Sequence, residues 1–289
     1  MTNSVQGASG SNTTSTVIAL HCSLSSGNQW GRLSEELAAT HRVITPDISG
    51  YGNNRGPFDL PTTLSEEVDL LEDRLQEAVG PIHLVGHSYG GALAFKIATD
   101  SPLASRVRSL TLIEPVLPTI LRENGPDRPL YEHFVRLANA VYEDLWNGLA
   151  WDAIDRFLVF WKGSEAKEDV PPKARMRMIE HAEKLAFDFT AVLAEQNVTT
   201  AAAAIRAPTL LASGGLSPYI TQRILWRLTS AIPEVRTRHV SAAGHMLPIS
   251  HADAINPDIV RHISRADELA NLSLALGDMS PEADASLRA

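Results

Sequence analysis

Short, continuously apolar runs recur along the chain and alternate with stretches of helical period. Five of these runs predict buried strands, at residues 16–20, 42–45, 82–85, 110–113 and 209–212. A more mixed run at 235–240 predicts an edge strand, and helical period over 64–79 and 90–99 predicts crossover helices. Strands that are apolar throughout are typical of sheets covered by helices on both faces. The pattern therefore predicts an α/β fold with a doubly wound, mostly parallel sheet.

The alternation is interrupted by residues 116–207, which show only helical period. One predicted helical face and the aromatic residues after it carry the apolar side chains of this insertion: Leu130, Phe134, Leu137, Val141, Leu145, Trp146, Trp151, Phe157, Phe160 and Trp161. We expect most of the aromatic residues to form the core of an inserted helical unit.

The rest of the chain divides into three parts. We expect a polar leader at 1–14, an α/β core at 15–115 and 208–264, and a C-terminal helix and tail at 265–289. A stripe in this last part, made of Leu269, Leu272 and Leu276, suits either docking on the core or contact with a second copy, so a monomer and a homodimer both stay open.

Composition narrows the environment and the partners. Of the 289 residues 44% are hydrophobic, and the formal net charge is −9 without a long basic cluster, which disfavours nucleic acid and anionic membrane surfaces. No apolar run approaches the roughly 20 residues of a membrane helix, and residues 1–14 lack the pattern of a signal peptide. Cys22 is the only cysteine. We expect a cytoplasmic protein with a small-molecule substrate, no cofactor and no metal, since no group of metal-binding residues has ligand spacing.

The pentapeptide 86–90, Gly-His-Ser-Tyr-Gly, follows a predicted strand and precedes a predicted helix of small residues. This G-x-S-x-G context is typical of a nucleophile elbow, a strained turn that presents the serine at the carboxyl end of the sheet. The flanking glycines are needed because side chains there would collide with neighbouring backbone. Ser88 is therefore the candidate nucleophile, and the Tyr89 amide is aimed at an oxyanion beside it.

A serine hydroxyl needs a general base, and His245 lies on a small-residue loop after the last predicted strand. The other histidines have less favourable positions. We interpret His83 and His87 as structural neighbours of the elbow, His251 as the start of a helix, and His21 as a residue that orients a nearby loop.

Three segments resemble the α/β-hydrolase superfamily over about residues 16–263: His21-Cys22-Ser23 where the family commonly has His-Gly-X, 46–52 where it has P-D-x-x-G-x-G, and the elbow with its distant Gly-His. The resemblance implies that 116–207 form a cap and that the Ser23 amide is the second oxyanion donor. It also suggests Cys22, His87 and Trp161 as residues bordering the substrate, and Asp47 as a turn residue.

The triad acid departs from the usual family pattern. Ser217 stands where members of the family commonly place an aspartate, three residues after a glycine. Glu114, at the end of the strand predicted at 110–113, is the candidate acid, an arrangement that resembles the haloalkane dehalogenases. The alternatives are a Glu-Pro pair that only starts a helix, and an enzyme crippled by the loss of its acid.

We expect a serine hydrolase that cleaves a small or medium, apolar carboxylic ester through an acyl-enzyme. Hydrolysis of a carbon–carbon bond in a diketone, or opening of a lactone, would use the same residues. A small-molecule receptor on the same fold is the alternative of another class. A serine at the elbow argues against dehalogenase and epoxide hydrolase chemistry, which need a carboxylate in that place.

Overall fold

The computed structural model describes residues 15–57, 61–122, 125–162 and 170–277. Six strands form one parallel sheet in the order β2-β1-β3-β4-β5-β6. Their bounds are β1 Thr16–Leu20, β2 Arg42–Ile44, β3 Ile82–His87, β4 Val107–Ile113, β5 Thr209–Gly214 and β6 Val235–Val240. The predicted doubly wound parallel sheet is confirmed, and β6 is an edge strand as its mixed pattern indicated.

Twelve α-helices lie in the described part of the chain. In chain order they are α1 Gly31–Leu37, α2 Leu64–Leu70, α3 Glu72–Gln76, α4 Tyr89–Thr99, α5 Arg128–Trp146, α6 Ala150–Lys162, α7 Pro172–Glu180, α8 Ala182–Ala194, α9 Val198–Ala204, α10 Tyr219–Ala231, α11 Leu247–Ser250 and α12 Ala252–Gly277. None of the described helices is long and apolar enough to cross a membrane.

Alternate residues of the strands face two separate cores, which explains why the strands are apolar throughout. On β1, Ile18 and Leu20 belong to the larger core, beneath α2, α4, α8 and α10. Val17 and Ala19 belong to the smaller core, beneath α1 and α12. Because both faces are covered, every residue of β1 is buried whichever way its side chain points, whereas the edge strand β6 has exposed residues.

The helix predicted at 64–79 is two helices. The capping box of Thr63 and Glu66 begins α2, and the chain leaves regular helix at Leu71, where ψ is −3°. The second helix, α3, ends at Gln76, so Val79 falls beyond the buried stripe and is 49% exposed.

Helices α5 to α9 occupy most of the predicted insertion. Phe134, Leu137 and Val141 of α5 are buried in the larger core, as the helical period predicted. The expectation for the aromatic residues fails at Trp146, which ends α5 and is 92% exposed. Its position past the last buried turn leaves the indole in solvent.

The helix predicted to start at residue 265 belongs to the longer α12, which begins at Ala252. Ile255, Ile259 and Ile263 pack into the smaller core, so this helix covers the sheet before it reaches the predicted tail. Leu269 and Leu272 are 45% and 59% exposed. The side chain of Leu276 and residues 1–14 and 278–289 lie outside the described parts.

Candidate active site

The elbow places Ser88 between β3 and α4 in a strained conformation, with φ 57° and ψ −118°. A Cβ on Gly86 would lie 2.3 Å from the Gly90 carbonyl oxygen, and one on Gly90 would lie 2.3 Å from that of His21. Both contacts are far inside van der Waals distance. Glycine is therefore required at both positions because backbone passes on each side of the turn.

Ser88 and His245 are brought together, as the sequence predicted. Ser88 Oγ lies 2.9 Å from His245 Nε2, and both residues are 3% exposed. His245 Nδ1 lies 2.6 Å from Glu114 Oε2, and its N–H donates a hydrogen bond to that carboxylate. This leaves Nε2 as the acceptor for the serine hydroxyl, which is the arrangement that lets an imidazole act as a general base.

Glu114 directly follows β4 and is fully buried. Its Oε1 accepts the Gly214 N–H at 2.7 Å, so both carboxylate oxygens are engaged. Its φ is 44°, a conformation rare for a residue with a side chain, which marks a second strained position beside the elbow. Ser217, where the family commonly has the acid, is 7% exposed, and its hydroxyl has no partner among the described residues.

His245 is supported from behind by a hydrogen-bonded chain that the sequence did not indicate. His87 Nε2 donates to the His245 carbonyl at 2.8 Å, and His87 Nδ1 accepts from the Gln29 amide at 3.1 Å. The Gln29 carbonyl in turn accepts the Cys22 backbone N–H at 3.2 Å. Burial, together with the neighbouring His245, holds the pKa of His87 well below its ordinary value, so His87 is neutral and acts as a support.

The face of the His245 imidazole is covered by Trp161 of α6. The two rings are stacked, with centroids 4.1 Å apart and planes 19° apart. The indole is 4% exposed, and its N–H has no partner among the described residues. The insertion therefore contributes a residue in direct contact with the candidate base.

The backbone amides of Tyr89 and Ser23 stay the predicted oxyanion donors, and both residues line the same cavity as Ser88. Tyr89 is the first residue of α4, so its N–H has no acceptor within the helix. Ser23 follows His21, whose Nε2 accepts the Ile48 N–H at 2.9 Å and whose Nδ1 therefore donates to the Cys22 carbonyl at 2.8 Å. Burial lowers the pKa of His21 to about 4, so this bridge is neutral. His21 thus fixes the loop, as expected.

A cavity of about 260 Å³ lies beside Ser88. Most of its lining is apolar and comes from the insertion, with polar residues at the elbow and the oxyanion loop: Ser23, Ser88, Tyr89, Val116, Phe134, Phe157, Trp161, Leu185, Asp188, Phe189 and Val192. Of the residues expected to border the substrate, Trp161 lies on the cavity, whereas Cys22 and His87 do not. Their side chains face Gln29 instead, behind the loop and the base.

One wall of the cavity is backed by a buried charged cluster that sequence reasoning missed. Lys184 Nζ binds Glu67 at 2.7 Å and Asp188 at 2.5 Å. Asp188 also accepts the hydroxyls of Ser23 at 2.5 Å and Tyr51 at 2.6 Å. Burial raises the pKa of Glu67, and for Lys184 the two carboxylates outweigh burial and raise the pKa of the amine. The cluster ties α8 to the loop that carries Ser23.

A second cluster brings metal-ligating side chains together away from the elbow. Ligand atoms of His41, His83 and Asp267 lie within 4.8 Å of one another, a grouping that their wide spacing in sequence concealed. Arg108 lies 2.6 Å from the same Asp267 carboxylate, and His83 Nδ1 lies 2.8 Å from the Ser109 hydroxyl. Because the guanidinium already neutralises the carboxylate, we interpret this cluster as an anchor for α12.

The chain matches the α/β hydrolase fold family over residues 15–252. Lipase LipV of Mycobacterium tuberculosis is 33% identical over 102 residues, which are 35% of this chain and 37% of LipV. RutD of Azorhizobium caulinodans, named as a carbamate hydrolase, is 27% identical over 247 residues, or 80% of this chain and 82% of RutD. The structure of MenH from S. aureus is similar, with a TM-score of 0.71 at 18% identity over 88% of this chain and 95% of MenH.

The similarity to the first five relatives is local, since the matched segments span between 22% and 41% of their own length. The family match is not local, because it covers the whole sheet and the insertion. The chain therefore belongs to the α/β-hydrolase family.

Proposed function

We propose that the protein is a serine hydrolase that cleaves esters of short, largely apolar carboxylic acids through an acyl-enzyme. Ser88 Oγ attacks the acyl carbonyl while His245 Nε2 takes its proton, and Glu114 stabilises the imidazolium that forms. The amides of Ser23 and Tyr89 hold the oxyanion. His245 then protonates the leaving alcohol, and a water activated by the same imidazole releases the acid.

The observation that carries this proposal is the continuous hydrogen-bonded path from Ser88 through His245 to Glu114, with distances of 2.9 Å and 2.6 Å. A path of this kind activates a hydroxyl that is otherwise unreactive at neutral pH. The relatives support hydrolysis of an acyl group from oxygen or nitrogen, because LipV is named a lipase and RutD a carbamate hydrolase.

The size of the acyl group follows from the cavity. The free space among its lining side chains is small, and the 260 Å³ around them includes space open to solvent. Phe134, Phe157 and Phe189 supply much of its surface. We expect side-chain movement to admit a short aliphatic acyl group, whereas a long fatty acyl chain would also require movement of the insertion.

A series of p-nitrophenyl esters of increasing acyl length tests the proposal on the wild type and on Ser88→Ala, His245→Ala and Glu114→Gln. We expect kcat/KM to be highest for short acyl groups and to fall by about 10⁴-fold or more in Ser88→Ala. Circular dichroism and the unfolding midpoint of each variant show whether a loss reflects chemistry or folding. Activity of Ser88→Ala at the level of the wild type would overturn the assignment of Ser88 as the nucleophile.

The receptor alternative depended on a missing triad acid, and the contact of Glu114 with His245 Nδ1 at 2.6 Å weighs against it. A fluorophosphonate probe separates the two classes, because an activated Ser88 is labelled promptly and labelling stops in His245→Ala. Hydrolysis of lactones and diketones would use the same catalytic residues. Both should therefore be assayed as alternative substrates beside the esters. Faster turnover of either would change the substrate class and leave the roles of the three residues intact.

A further inference from the structure

The indole N–H of Trp161 is a buried donor without an acceptor among the described residues. The residue is 4% exposed and lines the cavity beside Ser88. An indole N–H can only donate, and leaving such a group unpaired in a buried place is unfavourable. Because Trp161 lines the cavity, a ligand that brings an acceptor to its Nε1 would satisfy this donor.

The other polar side chains on this wall already have partners. Ser88 donates to His245, Ser23 donates to Asp188, and Tyr89 lies 3.2 Å from Glu67. Asp188 is held by the Ser23 and Tyr51 hydroxyls and by Lys184. Among the residues that line the cavity, the Trp161 N–H is therefore the side-chain donor left for a ligand.

The position of the indole limits which part of a substrate it can reach. Its ring is stacked on His245 at 4.1 Å, and the same imidazole bonds the Ser88 hydroxyl at 2.9 Å. A group bound by the Trp161 N–H therefore lies close to the scissile carbonyl. The carbonyl oxygen itself is assigned to the amides of Ser23 and Tyr89, so the acceptor for the indole is a second one.

We propose that Trp161 is a specificity-determining residue whose N–H binds a second acceptor oxygen, carried by the short acyl group near its scissile carbonyl. The preferred substrate class is then an ester of an alkoxy acid or an oxo acid, in preference to a purely aliphatic one. This inference rests on the proposed function, which places the acyl group of the substrate in the cavity with its carbonyl at Ser88.

Two esters that differ in one atom test the proposal: p-nitrophenyl methoxyacetate and p-nitrophenyl butyrate, in which an ether oxygen replaces a methylene. Trp161→Phe keeps an aromatic ring over His245 and removes the N–H. We expect this variant to lower the ratio of kcat/KM for methoxyacetate to kcat/KM for butyrate by about tenfold, whatever the lost stacking on His245 does to both rates together. Comparing each variant with the wild type on the same ester removes the difference in intrinsic reactivity.

Trp30 supplies a matched control. Its indole is 2% exposed, its N–H is also unpaired among the described residues, and it packs in the smaller core, away from the cavity. Trp30→Phe should change the ratio of the two rates by less than about twofold, whatever it does to stability. Equal losses for both esters in Trp161→Phe, or no loss for either, would overturn the proposal.

A binding measurement separates this inference from the proposed function. Calorimetry on Ser88→Ala, with and without Trp161→Phe, compares the anilides of methoxyacetic and butyric acid, which need no turnover. We expect the indole to favour the methoxy compound by about tenfold in Kd, and Trp161→Phe to remove that preference. If the wild type neither hydrolyses the esters nor reacts with fluorophosphonate, the proposed function fails, and the anilide preference still decides the role of Trp161.

Discussion

The Glu114 carboxylate lies 2.6 Å from His245 Nδ1, although Glu114 follows β4, His245 follows β6, and the two residues are 131 positions apart. Glu114 is the first residue after β4, and its other oxygen accepts the N–H of Gly214, the last residue of β5. The place where the family commonly has its acid, residue 217, follows β5 in the same turn. If Glu114 is the triad acid, the acid stands after β4 in this chain and not after β5.

Moving the acid to residue 217 tests whether the two positions are equivalent. Glu114→Gln removes the charge, and adding Ser217→Asp places a new carboxylate in the turn whose Leu216 N–H binds the Ala243 carbonyl, two residues before His245. We expect the double variant to recover at least about tenfold in kcat/KM over Glu114→Gln alone.

Ser217→Asn in the same Glu114→Gln background is the matched control, because it has the size of aspartate without its charge. Equal rates for the aspartate and asparagine variants would show that residue 217 does not reach the imidazole. The unfolding midpoint of each variant separates a failure of chemistry from a failure to bury a new carboxylate.

The glycines around the site should respond very differently to a methyl group. A Cβ on Gly90 would lie 2.3 Å and 2.4 Å from the carbonyl oxygens of His21 and Leu20, whereas one on Gly244 would meet nothing within 4 Å. We expect Gly90→Ala to cost about 3 kcal/mol or more of unfolding free energy, and Gly244→Ala to stay within about 1 kcal/mol. Urea unfolding measures both, and a large loss in Gly244→Ala would contradict the argument even though that residue precedes His245.

The fold was predictable because strands that are buried on both faces of a sheet have continuous runs of apolar residues. The carboxyl ends of β3 and β5 were missed, since Gly86, His87, Ser213 and Gly214 carry no apolar signal and are paired by the register of neighbouring strands. The break at Leu71 was also missed, because an apolar residue in helical period gives no warning of a change in ψ.

The site residues were predictable where their position relative to the strands identifies their role. Ser88 and His245 follow from the elbow and from the loop after the last strand, and the structure brings them together. Gln29 and Asp188 could not be found in this way. A glutamine in a polar loop has no distinctive signal, and Lys184 with Asp188 four residues later has the spacing of an ordinary exposed helix pair.

The buried cluster behind the cavity should depend on Lys184 for stability. Lys184→Met leaves the Glu67 and Asp188 carboxylates without their cation in a buried place. We expect a loss of about 3–5 kcal/mol in unfolding free energy, measured by urea titration, because an uncompensated buried charge is costly. Adding Glu67→Gln should restore part of this loss. Lys173→Met, at an exposed position, should change stability by less than about 0.5 kcal/mol.

Cys22 should be inert in the folded protein. The residue is 5% exposed, and burial raises the pKa of its thiol to about 12, so almost no thiolate exists at neutral pH. We expect Ellman's reagent to leave the native protein unmodified at about pH 8 and to titrate one thiol per chain in guanidinium. Rapid reaction of the native protein would show that the loop opens and exposes the sulfur.

Acid should destabilise the protein through histidines that are buried in the neutral form. Burial lowers the pKa of both His21 and His262 from 6.5 to about 4. As the pH falls below 6.5, these histidines are protonated in the unfolded chain and stay neutral in the folded chain. Their contribution to stability is therefore complete above pH 6.5 and is lost between about pH 6.5 and about pH 4.

His262 allows a direct measurement of this effect, because it lies far from the elbow and its Nε2 donates to the Pro208 carbonyl at 3.2 Å. His262→Gln retains an amide donor and removes the titration. Between about pH 7 and about pH 5, we expect the wild type to lose about 2 kcal/mol more unfolding free energy than the variant. Urea titrations at several pH values measure the difference. Parallel curves for the two proteins would mean that His262 takes up its proton as readily in the folded chain as in the unfolded one.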